Sequence, residues 1–448
     1  MRWPWRLDRF DLLATLLLVA IIPGFFAPLL SRGIRGTPAI VPQSDFPPHS
    51  VLAAELREQR TVMIPHPLYH GVLIGVQKGV EAFQGNHQTQ AAHIAVGNSR
   101  GEVDDEVLAE VSTQYATAAI ITNVFFAGLL SAILWSRIRA AAAAAIDSAP
   151  GTLAGVALVL GLMILTPIAL LHVQDGRYYF GYIGINVWHN PTVIAAKPFV
   201  LLTFLATLAG FPEPSKSSAR PSWFATLAFA ILVIAGAMAK PSFLLCLVPG
   251  VLLMAAFRQW VSGQPVRWTF LLMGLVLPTF LVLGWQSWIY ARYTGGAHAF
   301  FSPLATMSAM SRHLAPKLLL SILFPVTCYL LWWREARIRS RLNLAWLVFA
   351  VGLLFTYLIA ETKRTRHGNF LWSAQLALFV LFVESTLFAI ARIRAGRSLP
   401  RPKQTIDWRS ALCMFTFSLH VISGVLYCVH LMSGHGANSW LTASWWYH

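Results

Sequence analysis

Apolar runs of about 17 to 22 residues recur along this chain, the length that carries a helix across a ~30 Å hydrocarbon core. Of its 448 residues 56% are hydrophobic and 12% charged, whereas an ordinary soluble domain is roughly 25% charged. A water-facing surface cannot be built from that composition. The class that follows is an all-α integral membrane protein. Candidate spans cover 12–30, 116–135, 153–173, 198–211, 223–239, 242–257, 268–289, 317–333, 344–360, 370–390 and 411–432, about eleven crossings with ends good to ~2–4 residues. Membrane helices pack into one bundle, so residues 1–448 are expected to form a single polytopic domain despite a length that suggests two or three.

Charge places the loops. The net charge of +16 comes from short basic clusters between apolar runs, such as Arg137 and Arg139, Arg258 and Arg267, or Arg334, Arg337, Arg339 and Arg341. Lys and Arg spread in this way hold loops in the cytoplasm, and give no basic face for nucleic acid. Most of the 18 acidic residues fall in the alternate loops. The N-terminus is therefore expected in the cytoplasm of a bacterial inner membrane and the tail 433–448 outside it. The basic segment 1–10 leads into Pro23, Phe25, Phe26 and Pro28 rather than a small-residue cleavage site, and reads as an uncleaved first helix. Cys246, Cys328, Cys413 and Cys428 all lie in apolar runs without a CxxC, so they read as small hydrophobes.

The first extracytoplasmic loop, 31–115, is too long for a bare connection. Residues 48–60 and 68–83 read as helices lying in the membrane interface, the second with Leu68, Val72, Val76 and Val80 at helical spacing. Residues 84–100, rich in Asn, Gln, His and Gly, read as a flexible turn.

Four outer segments concentrate polar and aromatic residues. They are 44–49 with Asp45 and His49; 184–192 with Trp188, His189 and Asn190, preceded by Arg177; 239–243 with Lys240; and 361–372 with Glu361, Lys363, Arg364, Arg366, His367 and Asn369. A carboxylate at the membrane surface can take a proton from a hydroxyl or hold a divalent cation. Clustered cations suit a phosphate leaving group, and Trp platforms suit sugar rings. Each residue also has a plainer reading. Asp45 could cap the helix that follows it. His49, His66 and His70 could be solvated, Trp188 could anchor a turn at the headgroups, and Lys240 could snorkel. Glu384, inside a span, either pairs with Arg392 or a nearby loop, or works in transport.

The long first outer loop with an acid soon after helix one resembles the GT-C class of membrane glycosyltransferases, as do the runs Trp188-His189-Asn190-Pro191-Thr192, Lys240-Pro241-Ser242-Phe243 and His367-Gly368-Asn369-Phe370-x-Trp372. The resemblance implies a polyprenyl-phosphate-linked sugar donor, a lipid-linked or envelope glycan acceptor, and membrane lipid as surroundings. It gives Asp45 the role of catalytic base, although many members carry paired acids where Asp45 stands alone. An inverting displacement needs one base. Mg²⁺ or Mn²⁺ is compatible with the class, without a clear ligand set in this chain. Asp45, His189 and Arg364 or Arg366 are then expected to line one pocket. Two other functions compete. A flippase-like glycan or lipid transporter would place ionisable residues within several spans, where this sequence shows little beyond Glu384. A surface-polysaccharide polymerase or ligase would carry its large loop late in the chain.

Overall fold

A computed structural model describes residues 8–35, 44–59, 64–84, 105–171, 181–212, 221–293, 299–362, 368–397 and 407–433. The described residues are helical nearly throughout. The helices are α1 (Arg9–Arg35), α2 (Phe46–Gln59), α3 (Leu68–Gln84), α4 (Asp105–Ala142), α5 (Ala149–Ile164), α6 (Pro191–Thr207) and α7 (Trp223–Ala239). They continue with α8 (Ser242–Ala256), α9 (Trp268–Arg292), α10 (Leu314–Leu331), α11 (Ser340–Leu358), α12 (Leu371–Arg397) and α13 (Trp408–Met432).

Among the described residues nine helices are long and apolar enough to cross a membrane: α1, α4, α6 and α8–α13. Leu16, Val19, Phe280 and Leu281 stay exposed on them, the arrangement expected of side chains that meet lipid rather than water. The other two expected spans are shorter. α5 has 16 residues and α7 has 17, about 24–26 Å at 1.5 Å per residue. The expected third span, 153–173, is half wrong. α5 stops at Ile164, the Leu165 amide closes its last turn on the Gly161 carbonyl at 2.9 Å, and residues 166–169 run on without helical hydrogen bonding. The expected fourth span starts too late. Asn190 caps α6, its Oδ1 accepting from the Val193 amide at 3.1 Å, and Pro191 takes the first position, where a missing N–H costs nothing.

The helix α12 is the centre of the bundle. From Ala374 to Val383 nearly every side chain is buried, and α4, α6, α8, α10 and α11 all pack on it. Gly352 of α11 makes the closest approach: a Cβ there would lie 2.9 Å from the Ala374 Cα. Small residues are what let backbones meet in lipid. The helices also differ from an all-α expectation at one place. Residues Ala299–Phe301 (β1) and Ile359–Glu361 (β2) form a short antiparallel ribbon pairing Ala299 with Glu361.

α2 and α3 pack on α4 and on each other. The Leu68, Val72, Val76 and Val80 stripe of α3 is half-buried, and the face that packs into the protein is a different one. It is Tyr69, His70, Leu73 and Gln77, one position on and partly polar. Most of the expected turn at 84–100 lies outside the described residues. At the opposite end of the bundle Arg139 gathers Asp8 (2.6 Å), Asp11 (3.3 Å) and Asp147. Glu384 is buried there as well, and its partner is Arg341, which holds both its oxygens at 2.8 and 3.2 Å, while Arg392 pairs with Glu335.

Candidate functional site

Residues 165–171 and 181–190 do something uncommon for a membrane bundle: they run irregularly through the interior. Such backbone is tolerated there only if protein groups satisfy it. The Thr166 carbonyl meets His420 Nδ1 of α13 at 2.8 Å, and Ser423 Oγ donates to the Pro167 carbonyl at 2.7 Å. The Ile183 amide donates to Ser321 Oγ of α10 at 3.0 Å. Asn186 Nδ2 donates to the Leu162 and Leu165 carbonyls at 3.1 and 2.7 Å, tying off the end of α5. Lys197 of α6 donates to Asn186 Oδ1 and lies over the rings of Trp188 (5.7 Å) and Phe379 (5.0 Å). Trp188 is thus buried, with its ring 4.6 Å from Phe26, and is not a headgroup anchor.

That path delivers His189 and Asn190 to one end of the bundle, where they meet the start of α2. The Asp45 amide donates to the His189 carbonyl at 2.9 Å. Asn190 Nδ2 donates to Asp45 Oδ2 at 2.6 Å. The carboxylate is therefore held across 145 residues of sequence, instead of capping its own helix. Asn190 Oδ1 also accepts from Thr192 Oγ1 (2.7 Å), and Thr192 Oγ1 accepts from Lys240 Nζ (3.2 Å). Lys240 sits in the break between α7 and α8, its ammonium 4.7 Å from the Trp372 ring, and the His189 ring is 6.2 Å from the same indole. Lys240 does not snorkel out. Burial pushes its pKa down to about 8, against the pull of the Asp45 charge. His189 too is held below its ordinary value by burial, with Asp45 opposing.

The loop segments add a histidine cluster. Gln286 of α9 donates to the Pro65 carbonyl (2.6 Å) and the Ala237 carbonyl (3.1 Å), pinning the chain around His66 beside the end of α7. His49 Nδ1 lies 2.9 Å from His70 Nε2. Burial drives His49 and His66 well below the ordinary histidine range, with neighbouring histidines and Lys240 adding to it. Burial takes His70 to about 4. His70 is fully buried and His49 and His66 are half-buried, so none of the three is a freely solvated loop residue.

The remaining expected residues divide in two. Glu361 accepts from Asn369 Nδ2 at 2.7 Å, and both line a small cavity with Thr306, Thr356 and Phe370, just ahead of Trp372 on the same segment. Arg177, Lys363, Arg364, Arg366 and His367 lie outside the described residues; of the residues expected to line one pocket Asp45 and His189 are described, and they meet through the Asp45 amide and the His189 carbonyl. Among the described residues no group of three or more His, Cys, Asp and Glu is placed to hold a metal ion. Asp45, held by Asn190 and facing the Lys240 charge, does not by itself fit a divalent-cation ligand set.

Neutral, buried histidines give a stability prediction. Each favours the fold above its unfolded pKa near 6.5, and that contribution is lost as pH falls through the lower folded value. For His70 the window runs from pH 6.5 to about 4, roughly 3 kcal/mol at ~1.4 kcal/mol per pH unit. Thermal melts of the purified protein are expected to fall steadily across this window. His70→Gln should flatten the slope, and an unchanged slope in that variant would refute the assignment.

Lys197 and Asn186 are the residues that a reading of the sequence overlooks. Lys197 lies one residue ahead of the expected fourth span, 198–211. The signal that could have found it is Asn190-Pro191-Thr192, a cap followed by a first-turn proline. No protein-family model, no curated protein and no solved structure matches this chain.

Proposed function

We propose that this chain is a membrane glycosyltransferase moving a sugar from a polyprenyl-phosphate donor to an envelope glycan or lipid acceptor on the extracytoplasmic face. One observation carries the reading: Asp45, Asn190 and Lys240, from three distant segments, meet at one end of a membrane bundle. Asp45 Oδ2 is engaged by Asn190 while Oδ1 is left for an acceptor hydroxyl. In the reaction the hydroxyl proton passes to Asp45, the hydroxyl oxygen bonds to the sugar C1, and the C1–O bond to phosphate breaks with its electron pair leaving on phosphate. Lys240 offers the charge that steadies that group, joined in this reading by Lys363, Arg364 and Arg366. Trp372 offers a face for the sugar. In this reading α5 and α7 are also crossings, eleven in all, the basic loops face the cytoplasm of a bacterial inner membrane by their Lys and Arg content, and this site lies outside.

A second reading, a glycan or lipid transporter, draws on Lys197. A cation inside α6 beside an irregular segment is the kind of feature that marks a substrate path in transporters. Asp45→Asn separates the two in a deletion strain complemented at equal membrane levels, with envelope glycans followed by mass spectrometry. General base catalysis is worth about 10²–10⁴-fold, so one defined sugar should fall by that order. An unchanged sugar pattern would remove Asp45 as base; loss of a whole glycan would favour transport.

A further inference from the structure

Thr192 has no task in the reaction above, yet its side chain joins two groups that do. It is fully buried on the first turn of α6, placed there by the Asn190-Pro191-Thr192 start of that helix. The direction of its hydroxyl is fixed by a group that has no choice. The Val193 amide can only donate, so the Asn190 side-chain atom it meets at 3.1 Å is Oδ1. Thr192 Oγ1 lies 2.7 Å from the same oxygen, and its single proton points there. What remains on Oγ1 is lone pair, and Lys240 Nζ donates into it at 3.2 Å.

Lys240 needs such a hold. Its backbone is rooted between two helices: the Lys240 amide donates to the Gly236 carbonyl at 2.9 Å, and Pro241 keeps Lys240 extended at φ −166°, ψ 118° before α8 begins. From that root a flexible four-carbon stem leads to a compact ammonium with three donors. The residue is only 8% exposed, so water does little for them. Among the described residues Thr192 Oγ1 is the hydrogen-bond acceptor of Nζ, and the Trp372 ring, 4.7 Å away, is its other polar contact. Asp45 Oδ2 is taken by Asn190 Nδ2, so in the hydrogen-bonded chain Asn190 and Thr192 stand between the carboxylate and the ammonium. A base and a cation thus share one site without pairing directly.

We propose that Thr192 is a positioning residue that acts through Lys240: its hydroxyl holds the ammonium at the Trp372 face and apart from Asp45, leaving base and cation each open to substrate. What the held cation does rests on the transfer reaction above; where it is held rests on the distances. Asn190 keeps its cap bond to Val193 without Thr192, so the hydroxyl matters chiefly to Lys240. Valine at 192 has nearly the shape of threonine and lacks the acceptor. The ammonium is then a buried donor without a partner, a costly state that drives the stem to another rotamer.

Full-length protein labelled with fluorotryptophan, in lipid nanodiscs, gives ¹⁹F resonances for its indoles, and Trp372→Phe identifies the one that Lys240 faces. Lys240→Met shows where that resonance goes when the ammonium is lost. Thr192→Val is expected to move it the same way, and Thr192→Ser, which keeps the hydroxyl, to return it towards wild type. Thr192→Ala removes the same acceptor and should match valine, so the result does not hang on the folding of one variant. Initial rates of sugar transfer should fall about 10²-fold in Lys240→Met and by a similar factor in Thr192→Val, the cost of one lost charge-stabilising group. The double variant should be no slower than the worse single one, whereas independent roles would multiply to about 10⁴-fold. Serine should recover most of the rate. A Trp372 resonance unmoved by valine and alanine overturns the proposal. So does a multiplicative double variant, because Thr192 would then act apart from Lys240. If valine moves the resonance and serine restores it while no protein, wild type included, transfers sugar, the hold on Lys240 is supported and the transferase reading fails.

Discussion

Asn190→Asp is expected to reduce transfer by about 10²-fold or more while leaving the protein folded, because it changes one donor and keeps everything else that Asn190 does. Asn190 has two tasks. Its Oδ1 caps α6 at the Val193 amide, and its Nδ2 holds Asp45 Oδ2 at 2.6 Å. Asp and Asn are near-equal caps, so the helix start should survive; alanine would cost about 1 kcal/mol there. The second task is inverted. Two carboxylate oxygens at that separation cannot both be charged, so a proton is shared between them or the groups part. Either outcome spoils a base whose orientation matters. Initial rates of sugar transfer in membranes, with thermal melts on the same preparations, test this. A variant with wild-type rate would show that the Asn190 contact does not position the base, and a melt lowered by several kcal/mol would show that the cap reading is wrong.

The legible part of this protein is the part governed by hydropathy. Helices at 223–239 and 242–256 fall almost where apolar run length puts them, since lipid leaves a backbone little choice. α2 and α3 were readable from prolines and apolar spacing, yet the buried side of α3 was not, because Tyr69, His70 and Gln77 face other protein rather than a bilayer. The third span fails for a related reason. Residues 165–169 are apolar enough to be helical, but the His420, Ser423 and Gly424 face of α13 offers them hydrogen bonds and room that no local pattern reveals. The site was legible in its residue types and not in its pairings. Asp45, Asn190 and Lys240 stand out singly as polar residues at helix ends. That they form one hydrogen-bonded chain through Thr192 depends on the irregular segment being carried to the right place. Lys197 shows the same limit. Two aromatic rings and an amide oxygen hold its charge inside, contacts that no local pattern reveals.

That dependence makes Gly424 the position, remote from Asp45, where substitution should do most harm. A Cβ at Gly424 would lie 2.1 Å from the Ile164 carbonyl oxygen and 2.7 Å from its carbon. Both are backbone atoms at the end of α5, so no side chain can swing aside. Gly424→Ala should cost about 1–3 kcal/mol from overpacking, and Gly424→Val more. The displacement has a route to the site. Asn186 hangs on the Leu162 and Leu165 carbonyls that flank the clash, Lys197 holds Asn186, and the same segment ends in His189 and Asn190. Gly424→Ala should therefore lose transfer activity as well as stability. Gly284 in α9 is the control: a Cβ there meets nothing within 4 Å, so alanine should be neutral or stabilising by up to ~1 kcal/mol. Melting both variants in the same detergent reads the difference directly. If the two alanine variants melt together, α13 does not press on the end of α5, and the irregular segment must be held in place by something other than that contact.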